Sequence, residues 1–395
     1  MGDPTRDRFA RRVAIAVRVA GGSRIDYDDS EFRLRFTLPD GTPKVADLSG
    51  AFLNWGTVPV RELTRRIQRF AAAQVGSAAT VTDWEFVAPR LRPVLGPVHR
   101  TGRHLARAFL PFVDELVVVD HPGSTRYVLA DDPARWGVDP AALFDRARRN
   151  LADRARPDRA GHDPAGPDRA RHDRAGHDPQ PTPVTLDERG ILRVPDTAHL
   201  VLDGWLAGLG RTLGARPVAF IADGSTLTVV GDGPDAVAGL LELAEKEYLE
   251  SAQTISPQAY TVDGEGRVVP YTVPDGDPLH AALHRSEVLL ASAEYAAQRE
   301  NHRDAVLAPY SMGQRDDGSV YSISVWGHTV DTLLPETEYV AVVDGARRTS
   351  LVPWDTVVRV TGIEREPGWS PPRYHTRVWP SSVELGALRA AAVRP

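Results

Sequence analysis

The stretch Leu227-Thr-Val-Val-Gly-Asp-Gly-Pro-Asp-Ala236 fits G-x-G-x-x-G/A, the loop that cradles a dinucleotide pyrophosphate. The match has meaning only in context. The strand before the loop must belong to a parallel βαβ unit, and an acidic residue should close the next strand about 20 residues on. Here the strand ending at Gly231 follows Pro217-Val-Ala-Phe-Ile221 across Asp223-Gly224. So short a turn makes the two strands arms of an antiparallel hairpin. After Gly233 a helix begins, but Ser256-Pro257 and a second hairpin turn at Asp263-Gly264 come next, not a parallel strand ending in Asp or Glu. Pro234 then reads as the first residue of an ordinary helix. The stretch points away from a doubly wound fold. A nucleotide-binding sensor using Gly231–Ala236 remains an alternative.

Apolar spacing outward from that hairpin agrees. Phe9, Val13, Ala16, Val17 and Ala20 recur at helical spacing and predict an opening amphipathic helix ending at Gly21-Gly22. Phe32, Leu34 and Phe36 alternate with Arg33 and Arg35 before Asp40-Gly41, a hairpin pattern. Leu48 to Trp55 is apolar, and Val60 to Ala73 reads as a helix with Leu63, Ile67 and Phe70 on one face. Leu116–Val119 and Arg126–Leu129 flank the turn His121-Pro-Gly-Ser124. Asp139-Pro140 is a helix start, with a capping carboxylate before a first-turn proline. Further helices are predicted over Leu200–Leu213, Asp235–Leu249 and Asp277 to about Asn301. Short strands follow at Ala305–Leu307, Val320–Trp326, Tyr339–Val343, Val357–Gly362 and Arg373–Val378. The expected class is α+β: antiparallel hairpins packed with amphipathic helices, plus a smaller, mostly β C-terminal domain.

Five segments are expected. Residues 1–82 form a helix-hairpin-helix unit, 83–152 and 184–277 two α+β units, and 278–395 a helix with the β domain. Between them, 153–183 holds almost only Asp, Arg, Ala, Gly, His and Pro. Pro157-Asp-Arg-Ala-Gly-His-Asp-Pro164 returns nearly unchanged as His172-Asp-Arg-Ala-Gly-His-Asp-Pro179. Without Leu, Ile, Val or aromatics this insert cannot bury a face and is expected to be disordered. Its His162, His172 and His177 fit an expanded repeat better than a metal tract.

Composition narrows the chemistry. Hydrophobic residues make up 42% of 395, ordinary for a globular chain with a sizeable core. There is no cysteine, which removes disulfides, thiolate zinc sites and cysteine nucleophiles. A net charge of −6 gives no reason to expect nucleic acid as partner. Lys44 and Lys246 are the only lysines, so arginine-rich stretches reflect composition before phosphate recognition. Arg11-Arg12 precede Val13–Val17, but that apolar run stops at Arg18, too short for a secretory core. No window approaches the ~18 apolar residues of a membrane span. A cytoplasmic location without membrane insertion is expected.

Few residues announce catalysis. His280 and His284 sit four apart on a predicted helix, with Glu287 a turn further, so three possible metal ligands share a face. They carry a second alternative, a metal-dependent hydrolase. Leu279 and Leu283 explain the same helix as ordinary packing. Neither G-x-S-x-G nor a phosphate-binding G-x-x-x-x-G-K-[ST] occurs. Asp114-Glu115 and Asp131-Asp132 are paired carboxylates, but adjacent residues on a strand face opposite ways. Trp326, Trp354, Trp369 and Trp379 cluster near the C-terminus, and Trp369-Ser-Pro-Pro-Arg-Tyr-His375 carries aromatics at both ends. Aromatics and arginine are enriched at contact hot spots, which makes Trp326, Trp369, Arg373, Tyr374 and Trp379 a candidate contact surface. The alternative is that they fill a small β core.

The order of segments resembles the YtpQ-like family, a bacterial group of unknown function, over residues 5 to 275. The likeness lies in the opening helix, Leu48–Trp55 leading into Glu62–Phe70, Arg90-Leu-Arg-Pro93, Leu116–Arg149, Pro217–Val230 and Thr254–Tyr271. The repeat at 153–183 and residues 278–395 depart from it. The resemblance implies a cytoplasmic α+β fold and supplies no catalytic residues. The leading expectation is a non-catalytic adaptor, without cofactor, whose partner is another protein or a peptide.

Overall fold

The computed structural model describes residues 4–19, 22–38, 41–52, 67, 70, 71, 74, 84–100, 104–121, 124–155, 186–251, 254–302, 305–328 and 330–394. The chain divides into two units. One comprises Met1–Val94, Arg103–Ala106 and Leu116–Thr182; the other Leu95–Gly102, Arg107–Glu115 and Pro183–Pro395. Most of the repeat at 153–183, with His162, His172 and His177, lies outside the described residues, as does most of Val60–Ala73.

The first unit opens with helix α1 (Pro4–Val19) and a meander of strands β1 (Ser23–Asp28), β2 (Arg33–Thr37) and β3 (Pro43–Asp47). Period-two alternation on β2 sends Leu34 and Phe36 inward, where they meet Phe9, Val13 and Val17 from α1. The chain continues through β4 (Leu91–Pro97), β5 (Ala106–Leu110), β6 (Val113–His121) and β7 (Ser124–Tyr127). β6 and β7 pair antiparallel, Val118 opposite Tyr127. Asp139 caps helix α2 (Pro140–Ala155), its Oδ1 accepting from the Ala141 amide at 2.6 Å. Leu143, Phe144 and Ala147 then bury against Val117 and Val119.

The second unit holds a five-stranded antiparallel sheet in the order β12-β11-β9-β10-β8. Its strands are β8 (Leu192–Val194), β9 (Pro217–Asp223), β10 (Leu227–Gly231), β11 (Thr254–Val262) and β12 (Val268–Pro270). Gly231 lies opposite Pro217 and Thr228 opposite Phe220, so the two arms run head to tail. Asp223 Oδ1 closes their turn by accepting from the Ser225 and Thr226 amides at 2.8 and 3.1 Å. Both faces are covered. Val218, Phe220 and Val230 pack on Val237, Leu240 and Leu241 of helix α3 (Pro234–Glu250), whereas Ala219, Ile221 and Val229 join Leu200 and Leu206.

Some expected elements differ. Leu200–Leu213 is not one helix but a 3-10 turn (Thr197–Val201) and two helical turns (Trp205–Gly208, Gly210–Leu213). Gly204 sits at φ +71°, a left-handed conformation that breaks a helix and suits glycine. Val357–Gly362 is not a strand but most of helix α5 (Trp354–Thr361). Trp354 and Val357, one turn apart, both face the core, and Gly362 at φ +64° supplies a left-handed C-terminal stop.

Helix α4 (His280–Asn301) packs on β11, so the expected boundary at 277/278 falls within this unit. The C-terminal part is mostly sheet. β13 (Ser311–Gln314), β14 (Val320–Gly327), β16 (Tyr339–Val343) and β17 (Thr349–Pro353) form one sheet, order β13-β14-β16-β17. β14 and β16 are parallel, Ile323 opposite Tyr339, unlike the other pairs of this sheet. β15 (Leu333–Pro335), β18 (Arg365–Glu366) and β19 (Arg373–His375) form a smaller one. Ala305–Leu307 contributes only a bridge from Leu307 to Leu333. Helix α6 (Ser382–Ala390) follows, with a reciprocal cap between Ser381 and Glu384. The class is α+β. Among the described residues no helix is long and apolar enough to cross a membrane.

Candidate functional site

The aromatic segment near the C-terminus is largely interior. Trp326 is 1% exposed and Arg373 is fully buried, so neither forms a contact surface. Trp379 is half-buried and packs edge-on against Trp326, with ring centroids 5.7 Å apart. Tyr374 sits edge-on to Trp354 at 4.9 Å and donates from its hydroxyl to Glu336 at 3.0 Å. Trp369 is half-buried beside His302, centroids 4.8 Å apart. Burial of such rings stabilises by roughly 1.5–3 kcal/mol each, which accounts for their presence without a partner.

Arg373 is satisfied by neutral acceptors. Its Nε donates to Gln298 Oε1 at 2.6 Å, and Nη1 donates to the carbonyls of Ala308 and Leu333 at 2.6 and 3.1 Å. Its guanidinium carbon lies 4.8 Å from the centroid of the Tyr295 ring. Burial pulls its pKa down to about 10, which leaves it charged at neutral pH. The residue ties α4 to β15 and β19.

On the other side of Tyr295 in sequence space, the same helix lines a cleft of about 630 Å³. Aromatic rings supply much of its wall: Phe112, Tyr295, Tyr310, Tyr339 and Trp354. Tyr310 stacks nearly parallel on Tyr295 at 5.2 Å, and Phe112 meets Tyr295 edge-on at 6.1 Å. Phe112 holds φ +62°, a strained conformation for a bulky residue. Strain of this kind persists where surrounding contacts over-determine it, and it concentrates at functional sites. Tyr310, Tyr339 and Phe112 are only half-buried, so ring surface remains accessible.

The carboxylates of the cleft outnumber its basic groups. Glu287, Glu336, Glu338 and Asp355 line it, against the single imidazole of His284. Glu287 and Glu338 flank that imidazole and raise its pKa to about 9. Glu338 makes the hydrogen bond, Oε1 at 2.9 Å from His284 Nε2, whereas Glu287 at 3.9 Å from Nδ1 acts through charge. Burial alone would raise the Glu338 carboxyl. Hydrogen bonds from His284 and the Ser322 amide, with Arg315 3.2 Å away, hold it below the usual range instead. Burial pushes the Tyr310 hydroxyl up to about 12, so it stays a neutral donor.

The metal alternative does not assemble. His284 is committed to its two carboxylates, and His280 Nε2 lies 3.4 Å from Asp275. Among the described residues, no group of three His, Asp or Glu side chains is placed to hold a metal ion. At Gly231–Ala236 the strand enters from an antiparallel sheet, and the next strand, β11, pairs antiparallel with β9. Gly233 meets nothing within 4 Å of an added Cβ, so no close approach there requires glycine. The paired carboxylates also separate. Glu115 is fully buried and accepts from Arg107 Nε at 2.8 Å, while burial and the charge of Glu294 push Asp114 up to about 6. Asp132 accepts from the Leu129 amide at 2.9 Å and from Arg126 at 2.7 Å, a local structural role.

Of the residues singled out in the sequence, His284 and Glu287 line the cleft, together with Trp354 from the aromatic cluster. Tyr310, Tyr339, Glu336 and Glu338 carried no sequence signal, because they join the cleft only through the β14–β16 pairing and its packing on α4. Comparison with protein-family models, curated proteins and solved structures returned no match.

Proposed function

We propose that the chain is a non-catalytic binding protein of the cytoplasm whose partner is a protein or peptide, and that the partner places a short segment in the cleft of the second unit. The observation behind this reading is the cleft's wall: half-buried rings of Phe112, Tyr310 and Tyr339 beside rim carboxylates. Tyrosine offers large contact area at low entropic cost and keeps a polar handle, the composition expected of a contact surface. His284 supports binding over hydrolysis. A histidine held as imidazolium between two carboxylates lacks the free nitrogen that a metal ligand or general base needs. A YtpQ-like framework over residues 5–275 fits the same reading. All of the cleft's lining except Phe112 comes from residues 284–393, the part outside that framework.

An array of random heptapeptides probed with the full-length chain tests this. The wild-type chain should retain a subset of peptides, and Tyr310→Ala should release them while keeping wild-type thermal unfolding within a few degrees. Equal retention by both proteins would move the contact away from the cleft, and no retention would remove the peptide reading.

A further inference from the structure

We infer that the cleft takes a guanidinium group, so that the bound segment enters arginine first. The inference rests on the peptide reading above and names its occupant. The charges do not balance within the cleft. Glu338 is neutralised by His284 and Arg315, at 2.9 and 3.2 Å. Glu287, Glu336 and Asp355 have no arginine or lysine partner among the described residues. All three are exposed at the cleft, and of the three Glu287 has the His284 imidazole 3.9 Å away, so a cation arriving there meets carboxylates that no arginine or lysine of the described residues holds. An anionic segment would face net repulsion, and a neutral one would leave those carboxylates desolvated without compensation.

Aromatic surface beside the carboxylates selects which cation. A planar guanidinium stacks on a ring and still directs N–H donors sideways to carboxylate oxygens, which an ammonium cannot do as well. The chain itself uses this combination nearby. Arg315 lies 5.1 Å from the Tyr321 ring centroid while bonding Glu338, and Arg373 lies 4.8 Å from that of Tyr295. Tyr310 and Tyr339, both half-buried, line the cleft beside the carboxylates.

The test uses peptides retained in the array, resynthesised with arginine, citrulline, lysine or glutamate at one position, and measured by calorimetry with the full chain. Citrulline keeps the shape and removes the charge. Arginine-to-citrulline exchange should weaken binding at least tenfold, and arginine should exceed lysine. Glu287→Gln with Asp355→Asn, both at exposed positions, should weaken the arginine peptide and leave the citrulline peptide unchanged. If Tyr310-dependent peptides bind as tightly with citrulline as with arginine, the guanidinium inference fails and the peptide reading stands. If the array retains nothing, both fall.

Discussion

His284 Nε2 lies 2.9 Å from Glu338 Oε1, across 54 residues of sequence, and fastens helix α4 to the turn that leads into β16. The contact gives the cleft one fixed wall. It also removes from play the histidine that looked most like a catalytic or metal-binding residue, since both its nitrogens face carboxylates.

That contact should make stability depend on pH. The folded-state pKa of His284, about 9, lies above its ordinary value of 6.5. A raised histidine contributes fully below about 6.5 and loses its contribution as pH rises toward 9. Because solvent reaches the pair, the effect should be about 1 kcal/mol and not the full value of the shift. His284→Gln should therefore lower the urea midpoint at pH 6 and flatten its decline between pH 6.5 and 9. A variant with the wild-type slope over that window would show that the imidazolium is not what fastens the two elements.

Asp114 has the same sign in a lower pH window, but here the charged form is the costly one. Burial, then the charge of Glu294, raises its pKa to about 6, above the ordinary aspartate range near 4. The folded state binds this proton more tightly than the unfolded chain, so stability falls as pH rises from about 4 to 6. Asp114→Asn removes a half-buried charge and should stabilise by about 1 kcal/mol above pH 6, after allowance for solvent screening. At pH 4 it should change little. Thermal unfolding at pH 4 and pH 7 separates the two conditions, and an equal shift at both would assign the effect to packing.

How far the sequence carried these features depends on their range. The β9–β10 hairpin was legible because Asp223-Gly224 and the flanking apolar residues lie within fifteen positions, and so short a connection dictates direction. Helix α5 was misread because Val357-Val358 and Val360 suggest a strand by β-branching, while Trp354 and Gly362, its start and stop, carry the decisive signal. Trp326 and Arg373 have the residue types of a contact surface, yet composition does not separate an interface from a core; burial does. The cleft was invisible for a different reason. Phe112, His284, Tyr310, Glu338 and Trp354 come from segments whose meeting is a tertiary event. No local period encodes the parallel step between β14 and β16 that brings Tyr339 beside Ser322 and its neighbours.

Arg373 provides the sharpest stability test, because two physical arguments oppose each other there. Replacing a buried charge by an apolar side chain of similar length removes a desolvation cost and is sometimes stabilising. Against that, Arg373→Met strands Gln298 Oε1 and the Ala308 carbonyl, each of which now accepts at 2.6 Å, while the Leu333 carbonyl keeps the Ala308 amide at 3.1 Å. An unsatisfied buried acceptor costs about 1–3 kcal/mol, and two together exceed the recovered desolvation. Arg373→Met should therefore destabilise by about 3 kcal/mol, read as a lower urea midpoint at unchanged slope. Adding Gln298→Met removes one stranded acceptor, so the double variant should be less destabilised than the two single changes summed. Arg373→Lys should fall between, since an ammonium keeps the charge but cannot span all the acceptors at once. If Arg373→Met unfolds at the wild-type midpoint, the guanidinium is not holding α4 against β19, and the rigidity of Tyr295 behind the cleft would need another source.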